Sequence, residues 1–319
     1  MSVLVTGGAG YIGAHVVRLL WQRGDDVVVV DDLSSGRAER VTGITVVELD
    51  LGDSTCVGPL TDVARRHGVN ACVHLAARKQ VGESVQRPAW YYAQNVGGTA
   101  HLLLALESAG VERLVFSSSA ATYGQPDATK VNEDEPPRPI NPYGESKLVG
   151  EWLVRDAARA WGLRQVSLRY FNVAGAGWPD LGDTAVLNLI PIAFDRLSRR
   201  QSPLVLGDDY PTADGTCIRD YVHVRDLADA HLAALDHLAS EHRPYDVFNV
   251  GTGRGSSVLE VLAEVGRVTG SDTTPQIAPR RSGDPAALVA DVSRIERLLG
   301  WHARHDLSEI VHSARDARR

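Results

Sequence analysis

The sequence predicts an α/β protein: a doubly wound parallel sheet followed by a smaller, mixed α/β C-terminal lobe. Short apolar strands alternate with helical patterns through the first half of the chain. A glycine-rich turn joins the first strand to the first helix, and the alternation weakens beyond about residue 172. Repeated β–α units with short connections form parallel sheets, which bind ligands at the carboxyl ends of their strands.

The first β–α unit contains the glycine-rich turn. Residues 3–5 form a predicted buried strand, residues 14–23 a predicted helix, and Gly7, Gly10 and Gly13 lie between them in the spacing G-x-x-G-x-x-G. Glycines allow a tight turn and let a pyrophosphate approach the N–H groups at a helix N-terminus. The turn therefore predicts a dinucleotide site of the Rossmann type.

Two acids follow the second predicted strand. This strand covers residues 27–30 and ends in Asp31 and Asp32, one β–α unit after the glycine turn. A carboxylate at this position accepts hydrogen bonds from an adenosine ribose and repels a 2′-phosphate. The predicted cofactor is therefore NAD rather than NADP.

The alternation continues with strands predicted at residues 45–49, 71–75 and 114–116 and a long helix at residues 91–109. A sixth strand is predicted at residues 165–169, and a strand at residues 245–250 is expected to return to the same sheet. Polar residues near the carboxyl edge of this sheet are Asp50, Lys79, Asn95, Ser117 and Ser119. We expect them to line the cofactor site.

A predicted helix carries the acid–base pair. Asn141 is a favourable N-cap and Pro142 suits a first helical position, so Tyr143 and Lys147 lie one turn apart on one face. A free tyrosine is a poor base at neutral pH, and a nearby ammonium favours its phenolate. Together with the hydroxyl of Ser119, the pair predicts proton exchange with a substrate hydroxyl.

Composition excludes several classes of function. The 319-residue chain has a net charge of −7 and no basic run, which argues against a nucleic-acid surface. Its three cysteines have neither metal-ligand nor disulfide spacing, which favours a reducing compartment. The sequence shows neither a leader segment nor an apolar run long enough for a bilayer, so we expect no membrane association and a cytoplasmic location.

Taken together, these motifs resemble those of the extended short-chain dehydrogenase/reductase family, and within it the members that invert C4 of UDP-hexoses. The resemblance extends to about residue 301. The stretches that carry it are 6–13 (TGGAGYIG), 79–84 (KQVGES), 116–124 (FSSSAATYG), 141–147 (NPYGESK), 169–176 (RYFNVAGA), 208–223 (DDYPTADGTCIRDYVH) and 279–284 (PRRSGD). It implies reversible interconversion of UDP-glucose and UDP-galactose through a transient 4-keto sugar, with tightly bound NAD, in a homodimer.

The resemblance also implies roles for individual residues. Tyr143 would be the acid/base, Lys147 would hold the nicotinamide ribose and lower the tyrosine pKa, and Ser119 would bond the sugar 4-hydroxyl. Residues expected at the NAD site are Gly7, Gly10, Tyr11, Ile12, Gly13, Asp31, Asp32, Asp50, Leu51, Ala76, Ala77, Lys79, Asn95, Ser117, Tyr143, Lys147 and Tyr170. Residues expected to hold the UDP sugar are Lys79, Ser119, Tyr143, Asn172, Asn188, Leu189, Leu204, Val205, Arg219, Arg281, Asp284 and Leu288.

The expected domains follow from these roles. Residues 1–172 would form the NAD-binding domain, with residues 216–251 returning to it, and residues 173–319 would mainly form the UDP-sugar-binding lobe. A diphosphate is best held by arginine forks, which fits Arg219 and Arg281. No metal site is expected.

Two alternatives remain open at the sequence level. The first is a 4-epimerase of another UDP sugar, such as UDP-N-acetylglucosamine, a pentose or a uronic acid. Leu288 is intermediate between the tyrosine and the small residues that close or open this pocket in members of the family. The second alternative is a non-catalytic NAD-sensing regulator, which the retained Tyr143–Lys147 pair disfavours. Dehydratase chemistry is disfavoured because Ala120 and Ala121 replace the acidic pair that it needs.

Overall fold

The structure is a computed structural model of the chain, and it describes residues 1–240, 245–281 and 283–318. The strands are β1 (Ser2–Thr6), β2 (Asp26–Asp31), β3 (Thr45–Glu48), β4 (Ala71–His74), β5 (Arg113–Ser119), β6 (Lys130–Val131), β7 (Arg164–Tyr170), β8 (Asn172–Ala174), β9 (Leu204–Leu206), β10 (Ile218–His223), β11 (Tyr245–Val250), β12 (Gly255–Ser257), β13 (Gln276–Ala278) and β14 (Ala287–Ala290). The α-helices are α1 (Tyr11–Arg23), α2 (Val57–Arg66), α3 (Val81–Gln86), α4 (Pro88–Tyr91), α5 (Gly98–Ala109), α6 (Pro142–Trp161), α7 (Leu189–Ser198), α8 (Val224–Ser240), α9 (Val258–Thr269), α10 (Ser293–Leu299) and α11 (Leu307–Asp316).

The chain divides into two compact units, each built from three segments. The first unit contains Met1–Gly124, Pro139–Arg169 and Ala228–Phe248. The second unit contains Gln125–Arg138, Tyr170–Leu227 and Asn249–Arg319. The expected assignment of cofactor and substrate binding to separate domains stays a prediction.

The first unit is organised by a seven-stranded sheet in the order β11-β7-β5-β4-β1-β2-β3. Strand β1 pairs in parallel with both β2 and β4, so the chain order reverses beside β1. Ligands of doubly wound sheets bind at the carboxyl edge next to such a reversal. The fold class predicted from the sequence is confirmed.

Apolar strands covered by helices explain why this sheet forms. Val3, Leu4 and Val5 of β1 are fully buried, as a parallel strand covered on both faces must be. Helices α2 and α5 pack against one face and bury Leu60, Leu102 and other apolar side chains with those of the strands. The resulting core holds the carboxyl edge of the sheet in a fixed geometry.

The long helix predicted at residues 91–109 is interrupted. Residues Tyr92–Gly97 form a π-helical turn between α4 and α5. Leu102, Leu103 and Leu106 on α5 are buried within this chain. Leu104 on the opposite face is 52% exposed.

The second unit contains the strands that sequence periodicity does not predict. One sheet has the order β12-β10-β14-β6, with β8 also paired to β10, and β9 pairs with β13. The helices α7, α9 and α11 bury Ile190, Val265, Ile310 and neighbouring apolar residues. Among the described residues, no helix is long and apolar enough to cross a membrane.

Candidate active site

The glycine turn has the geometry that a pyrophosphate needs. Gly7 has a φ of +69°, and a Cβ there would lie 2.6 Å from the Ala76 nitrogen. A Cβ on Gly13 would lie 2.1 Å from the Gly7 oxygen, so glycine is required at both positions. Helix α1 begins at Tyr11 and Ile12 with neither a side-chain cap nor an acid in its first turn. Its N–H groups and dipole thus favour an anion.

Asp31 and Asp32 have different surroundings although they are adjacent. Asp31 is 6% exposed, and its carboxylate accepts hydrogen bonds from the Ala9 nitrogen at 3.0 Å and the Leu33 nitrogen at 2.9 Å. Burial raises the pKa of Asp31 above its usual value, and these bonds oppose the rise. Asp32 is more exposed and forms an ion pair with Arg78, 2.6 Å between Oδ2 and Nη2.

The ends of β3 and β4 supply the next group of predicted residues. Asp50 is exposed and accepts the Gly52 N–H at 2.8 Å, while Leu51 is buried in the core. Ala76 and Ala77 are partly buried, with Ala76 against the glycine turn. Lys79 is exposed. Of these residues, Ala76 lies against Gly7, and the exposed Asp50 and Lys79 supply one charge of each sign.

Asn95 lies in the π-helical turn and is 5% exposed. Its Oδ1 accepts the Arg78 N–H at 2.8 Å, and its Nδ2 donates to the Arg78 oxygen at 3.0 Å and to Ser146 Oγ at 2.9 Å. The Ser146 hydroxyl donates in turn to the backbone carbonyl oxygen of Tyr143 at 2.7 Å. The amide of Asn95 thus connects the β4 edge to the first turn of α6.

Helix α6 places the predicted acid–base pair at the sheet edge. Its N-cap is Asn141, whose Oδ1 accepts the Gly144 N–H at 2.9 Å. Tyr143 is half-buried and shares a side-chain hydrogen bond with Ser119 at the end of β5. Lys147 is 5% exposed, and its Nζ donates to the backbone carbonyl oxygen of Ser117 at 2.8 Å. The structure therefore brings these four predicted residues of β5 and α6 together.

The pKa values of this pair differ from the expected pattern. Burial raises the pKa of Tyr143, and the hydrogen bond with Ser119 only partly opposes the rise. Burial also lowers the pKa of Lys147 to about 8. Desolvation therefore dominates the pKa of Tyr143 in the protein alone, and only the Ser119 hydrogen bond lowers it there, not the expected charge of Lys147.

A buried ion pair that the sequence did not indicate fixes α6. Arg169 on β7 and Glu151 on α6 are 5% and 7% exposed, and two parallel bonds of 2.9 and 2.7 Å join them. The hydroxyl of Ser118 donates to the same carboxylate, and the Arg169 guanidinium lies 4.8 Å from the centre of the Tyr123 ring. This network links β5, β7 and the helix of the acid–base pair.

In the second unit, β10 and β14 bring three of the predicted substrate residues together. Arg219 pairs in register with Leu288, and its Nη2 lies 3.7 Å from Asp284 Oδ1. Arg281 is exposed, and its charge, with those of Arg219 and Asp284, acts on the thiol of Cys217. Burial nevertheless raises the pKa of Cys217. Two guanidinium groups therefore lie near one end of β10.

The other predicted substrate residues of this unit are more scattered. Asn172 is exposed and bonds the side chain of Tyr221, its register partner on β10. The exposed Asn188 precedes α7 and donates to Asp183 Oδ2 at 3.3 Å. The remaining substrate residues are Leu189 at the start of α7, and Leu204 and the buried Val205 on β9. Tyr170, predicted at the NAD site instead, is buried at the end of β7. Their binding roles stay predictions.

Sequence analysis assigned no role to Tyr221 or Arg78, and the structure places both beside predicted site residues. Tyr221 lies two positions after Arg219 on the same strand, so both side chains share one face, and this alternation could have identified it. Arg78 stands beside Lys79, where a cation following β4 faces an acid following β2. Within the described residues, no group of three or more potential metal ligands occurs.

The fold and the glycine turn define a dinucleotide-binding protein, and the predicted tyrosine–lysine pair lies at the same sheet edge. Comparison with known proteins narrows this class. The sequence model of the NAD dependent epimerase/dehydratase family matches residues 3–251. The chain belongs to this family.

Three similar proteins are informative. A UDP-glucose 4-epimerase from Azospirillum brasilense is 48% identical over 318 residues, which cover 98% of this chain and 90% of the relative. The crystal structure of UDP-glucose 4-epimerase from Brucella ovis in complex with NAD has a TM-score of 0.93 and 44% identity, covering 98% of this chain and 97% of that one. The Stenotrophomonas maltophila UDP-glucose-4-epimerase, with bound NAD and formylated UDP-arabinopyranose, has a TM-score of 0.93 and 41% identity, covering 100% and 98%.

Proposed function

We propose that this chain catalyses the reversible epimerisation of a UDP-hexose at C4, interconverting UDP-glucose and UDP-galactose with tightly bound NAD. The observation that carries the proposal is the arrangement of Tyr143, Lys147 and Ser119 at the carboxyl edge of a sheet that also presents a glycine turn. Full-length similarity to enzymes that bear this name supports it.

The cofactor fits the first unit. A cradle that a Cβ would fill at Gly7 and Gly13, an uncapped helix N-terminus and the buried carboxylate of Asp31 suit a pyrophosphate and an adenosine ribose. Lys147 would hold the nicotinamide ribose. When bound there, NAD would supply reversible hydride transfer with C4 of the sugar, and the positive charge of its ring would favour the tyrosine phenolate.

Residues of the chain then move the proton. Tyr143 is expected to take the proton of the sugar 4-hydroxyl and to give it back after the resulting 4-keto sugar has turned over in the site. Ser119 forms a hydrogen bond with Tyr143 in the protein alone. Its hydroxyl therefore lies close enough to Tyr143 to orient the same sugar oxygen. Because burial disfavours the phenolate in the protein alone, the positive charge of the bound cofactor is expected to help Tyr143 lose its proton.

The second unit would hold the nucleotide end of the substrate. Arg219 and Arg281 offer two guanidinium forks, the geometry that a diphosphate requires. Leu288, the register partner of Arg219, would then lie near the sugar. Binding energy concentrated on UDP would leave the sugar free to present either face.

The test uses purified protein without added cofactor. One sample is denatured to assay released NAD, and another receives UDP-galactose, with UDP-glucose followed by chromatography. We expect bound NAD and conversion in the wild type. Tyr143→Phe should lower kcat by about two orders of magnitude or more, because it removes the acid–base hydroxyl.

The control is Tyr245→Phe, which removes a hydroxyl from a tyrosine that is 38% exposed on β11 and should leave kcat unchanged. Bound NAD without conversion of UDP-galactose would redirect the proposal to another UDP sugar, which UDP-N-acetylglucosamine, UDP-pentoses and UDP-uronic acids then test. Absence of NAD and of turnover, even with NAD supplied, would contradict the enzyme assignment.

We further propose that the enzyme is a cytoplasmic homodimer. The supporting observation is a pair of large apolar side chains left exposed on neighbouring helices of the first unit, Leu104 on α5 and Trp152 on α6, which are 52% and 45% exposed. Exposed apolar patches on paired helices are typical of subunit interfaces.

A further inference from the structure

The side chain of Arg78 connects two edges of the first-unit sheet that are not adjacent. Strand β1 lies between β4 and β2. Arg78 follows β4 and Asp32 follows β2, so their ion pair of 2.6 Å passes across the carboxyl end of β1. Strands two apart in a sheet are separated by about 10 Å, a span that only a long side chain bridges.

The glycine turn lies between the same two edges. Gly7, the first residue after β1, donates its N–H to the Val30 oxygen of β2 at 2.8 Å. A Cβ on Gly7 would meet the Ala76 nitrogen beyond β4. Gly7 therefore contacts the backbone of both edges, and the Arg78–Asp32 pair joins the same two edges through side chains.

The guanidinium is held at three of its nitrogens. Besides the bond from Nη2 to Asp32, Nη1 donates to Ser34 Oγ, and Nε donates to Gln94 Oε1 at 3.1 Å. The Ser34 hydroxyl donates to the same carboxylate at 2.6 Å. The Arg78 guanidinium also lies over the Trp90 ring, with 5.2 Å between the guanidinium carbon and the ring centre. The bridge is a closed network rather than one contact.

The backbone beneath Arg78 is fixed as well. Asn95 bonds both its N–H and its oxygen, at 2.8 and 3.0 Å. Isolated surface ion pairs contribute little because ordering two long side chains costs entropy. Here the backbone is anchored, and Ser34 and Gln94 already orient the guanidinium, so less entropy is lost when the pair closes.

Asp31 and Asp32 therefore have different hydrogen-bond partners at the end of β2. Asp31 is buried beside the turn, with both of its oxygens on backbone N–H groups and lone pairs left for a ribose. Asp32 is engaged with Arg78 and Ser34 instead. A dinucleotide lying along the carboxyl edge, from Asp31 past Gly7 toward α6, would pass under the Arg78–Asp32 pair.

We propose that the network of Arg78, Asp32 and Ser34 is a strap that retains the dinucleotide cofactor and must open for it to leave. The inference rests on the proposed function, because an epimerase returns the hydride to the sugar it came from and gains nothing from cofactor exchange. A strap of this kind keeps the oxidised cofactor in place over many turnovers.

The test measures cofactor release from the loaded enzyme. Protein carrying radiolabelled NAD is mixed with excess unlabelled NAD, and the bound label is followed over time. Arg78→Gln and Asp32→Asn should each accelerate release about tenfold or more, since each removes a charge-assisted hydrogen bond. The double variant should release no faster than the single ones, because both changes open the same bridge.

The matched control is Arg87→Gln. Arg87 also lies on the Trp90 ring, at 3.9 Å, but pairs with Glu83 on its own helical segment and does not cross the sheet edge. Its variant should release NAD at the wild-type rate. Raising the salt concentration should speed release from the wild type and not from Arg78→Gln, because salt screens a partly exposed ion pair.

Three outcomes would overturn the strap. They are wild-type release from Arg78→Gln, additive acceleration in the double variant, and an equal effect of Arg87→Gln. A wild-type protein that never holds NAD would instead contradict the proposed function, so the two failures are distinguishable.

Discussion

Burial drives the two central side chains toward their neutral forms. It raises the pKa of Tyr143 and lowers that of Lys147 to about 8. Their reactivity therefore depends on what binds beside them as well as on their own spacing. A sequence reveals the spacing of the two residues, but it does not reveal how deeply each group is buried. Here burial decides the direction in which each pKa shifts.

His74 is another buried titratable group near the site. Its Nδ1 lies 2.6 Å from Thr6 Oγ1, and its Nε2 lies 3.2 Å from Thr99 Oγ1, which itself donates to the Asn95 oxygen. The Thr99 hydroxyl thus accepts from Nε2–H, and in the neutral ring Nδ1 accepts from the Thr6 hydroxyl. Burial, with the charge of Lys147, lowers the pKa of His74 to about 3.

We expect His74 to make stability depend on pH. Its folded pKa lies below the unfolded value of about 6.5, so the unfolded chain binds more protons between these values. Its contribution is complete above pH 6.5 and is lost as pH falls toward about 3, on the order of a few kcal/mol. Urea unfolding midpoints across this range should fall more steeply for the wild type than for His74→Asn, and parallel curves would contradict the expectation.

Residues whose role depends on a distant partner were the ones that sequence analysis missed. The glycines, Asp31, Tyr143 and Lys147 follow from local patterns, because strand, turn and helix are consecutive in the chain. Arg78 gains its role from Asp32, which is 46 positions away. No local pattern indicates such a pairing.

At the scale of elements, α6 is held by charge as well as by apolar packing. Glu151 and Arg169 are both buried, and each satisfies the other. A buried pair contributes little beyond an apolar contact, but breaking it leaves one charge without a partner. The position of the acid–base pair therefore depends on residues one turn or more away from it.

We expect Glu151→Gln to destabilise the protein by about 3–5 kcal/mol, because Arg169 would keep a buried charge. Chemical denaturation measures this change. The control on the same helix is Asp156→Asn, whose carboxylate is 63% exposed and pairs only with Arg155 and Arg159 among the described residues. That variant should change stability by no more than about 0.5 kcal/mol. Equal effects of the two variants would contradict the buried-pair argument.

Elements of the first unit were predictable because apolar strands and amphipathic helices alternate along the chain with short connections. Helix α2 was not predicted, since Gly58 and Pro59 lie in its first turn and obscure the helical pattern. In the second unit the strands are short, and β6 pairs with β14 more than 150 positions later. Periodicity does not identify strands of two to four residues whose partners are so distant.

At the scale of the whole molecule, the chain passes repeatedly between the two units, and the first unit is complete only when Phe248 has been reached. A boundary near residue 172 follows from where the alternation weakens. The structure adds that Gln125–Arg138 groups with the second unit. This excursion contains only a two-residue strand, so no pattern in the sequence marks it.

The proposed homodimer has its own test. Leu104→Glu and Trp152→Glu place a charge on the exposed face of α5 and α6, and each should shift the mass in solution from two chains to one. Sedimentation equilibrium measures this mass. Trp21→Glu is the control, because Trp21 is 63% exposed on α1, and it should leave the mass unchanged. A wild type that sediments as a single chain would contradict the dimer.

The π-helical turn at Tyr92–Gly97 has a consequence for how relatives are aligned. A π turn holds one residue more than an α turn, so it is equivalent to a single-residue insertion. Loss of that residue would restore a continuous α-helix and rotate Asn95 by about 100° relative to α5. A one-position gap here therefore separates chains that keep the Asn95 contacts from chains that have lost them, even where every neighbouring letter matches.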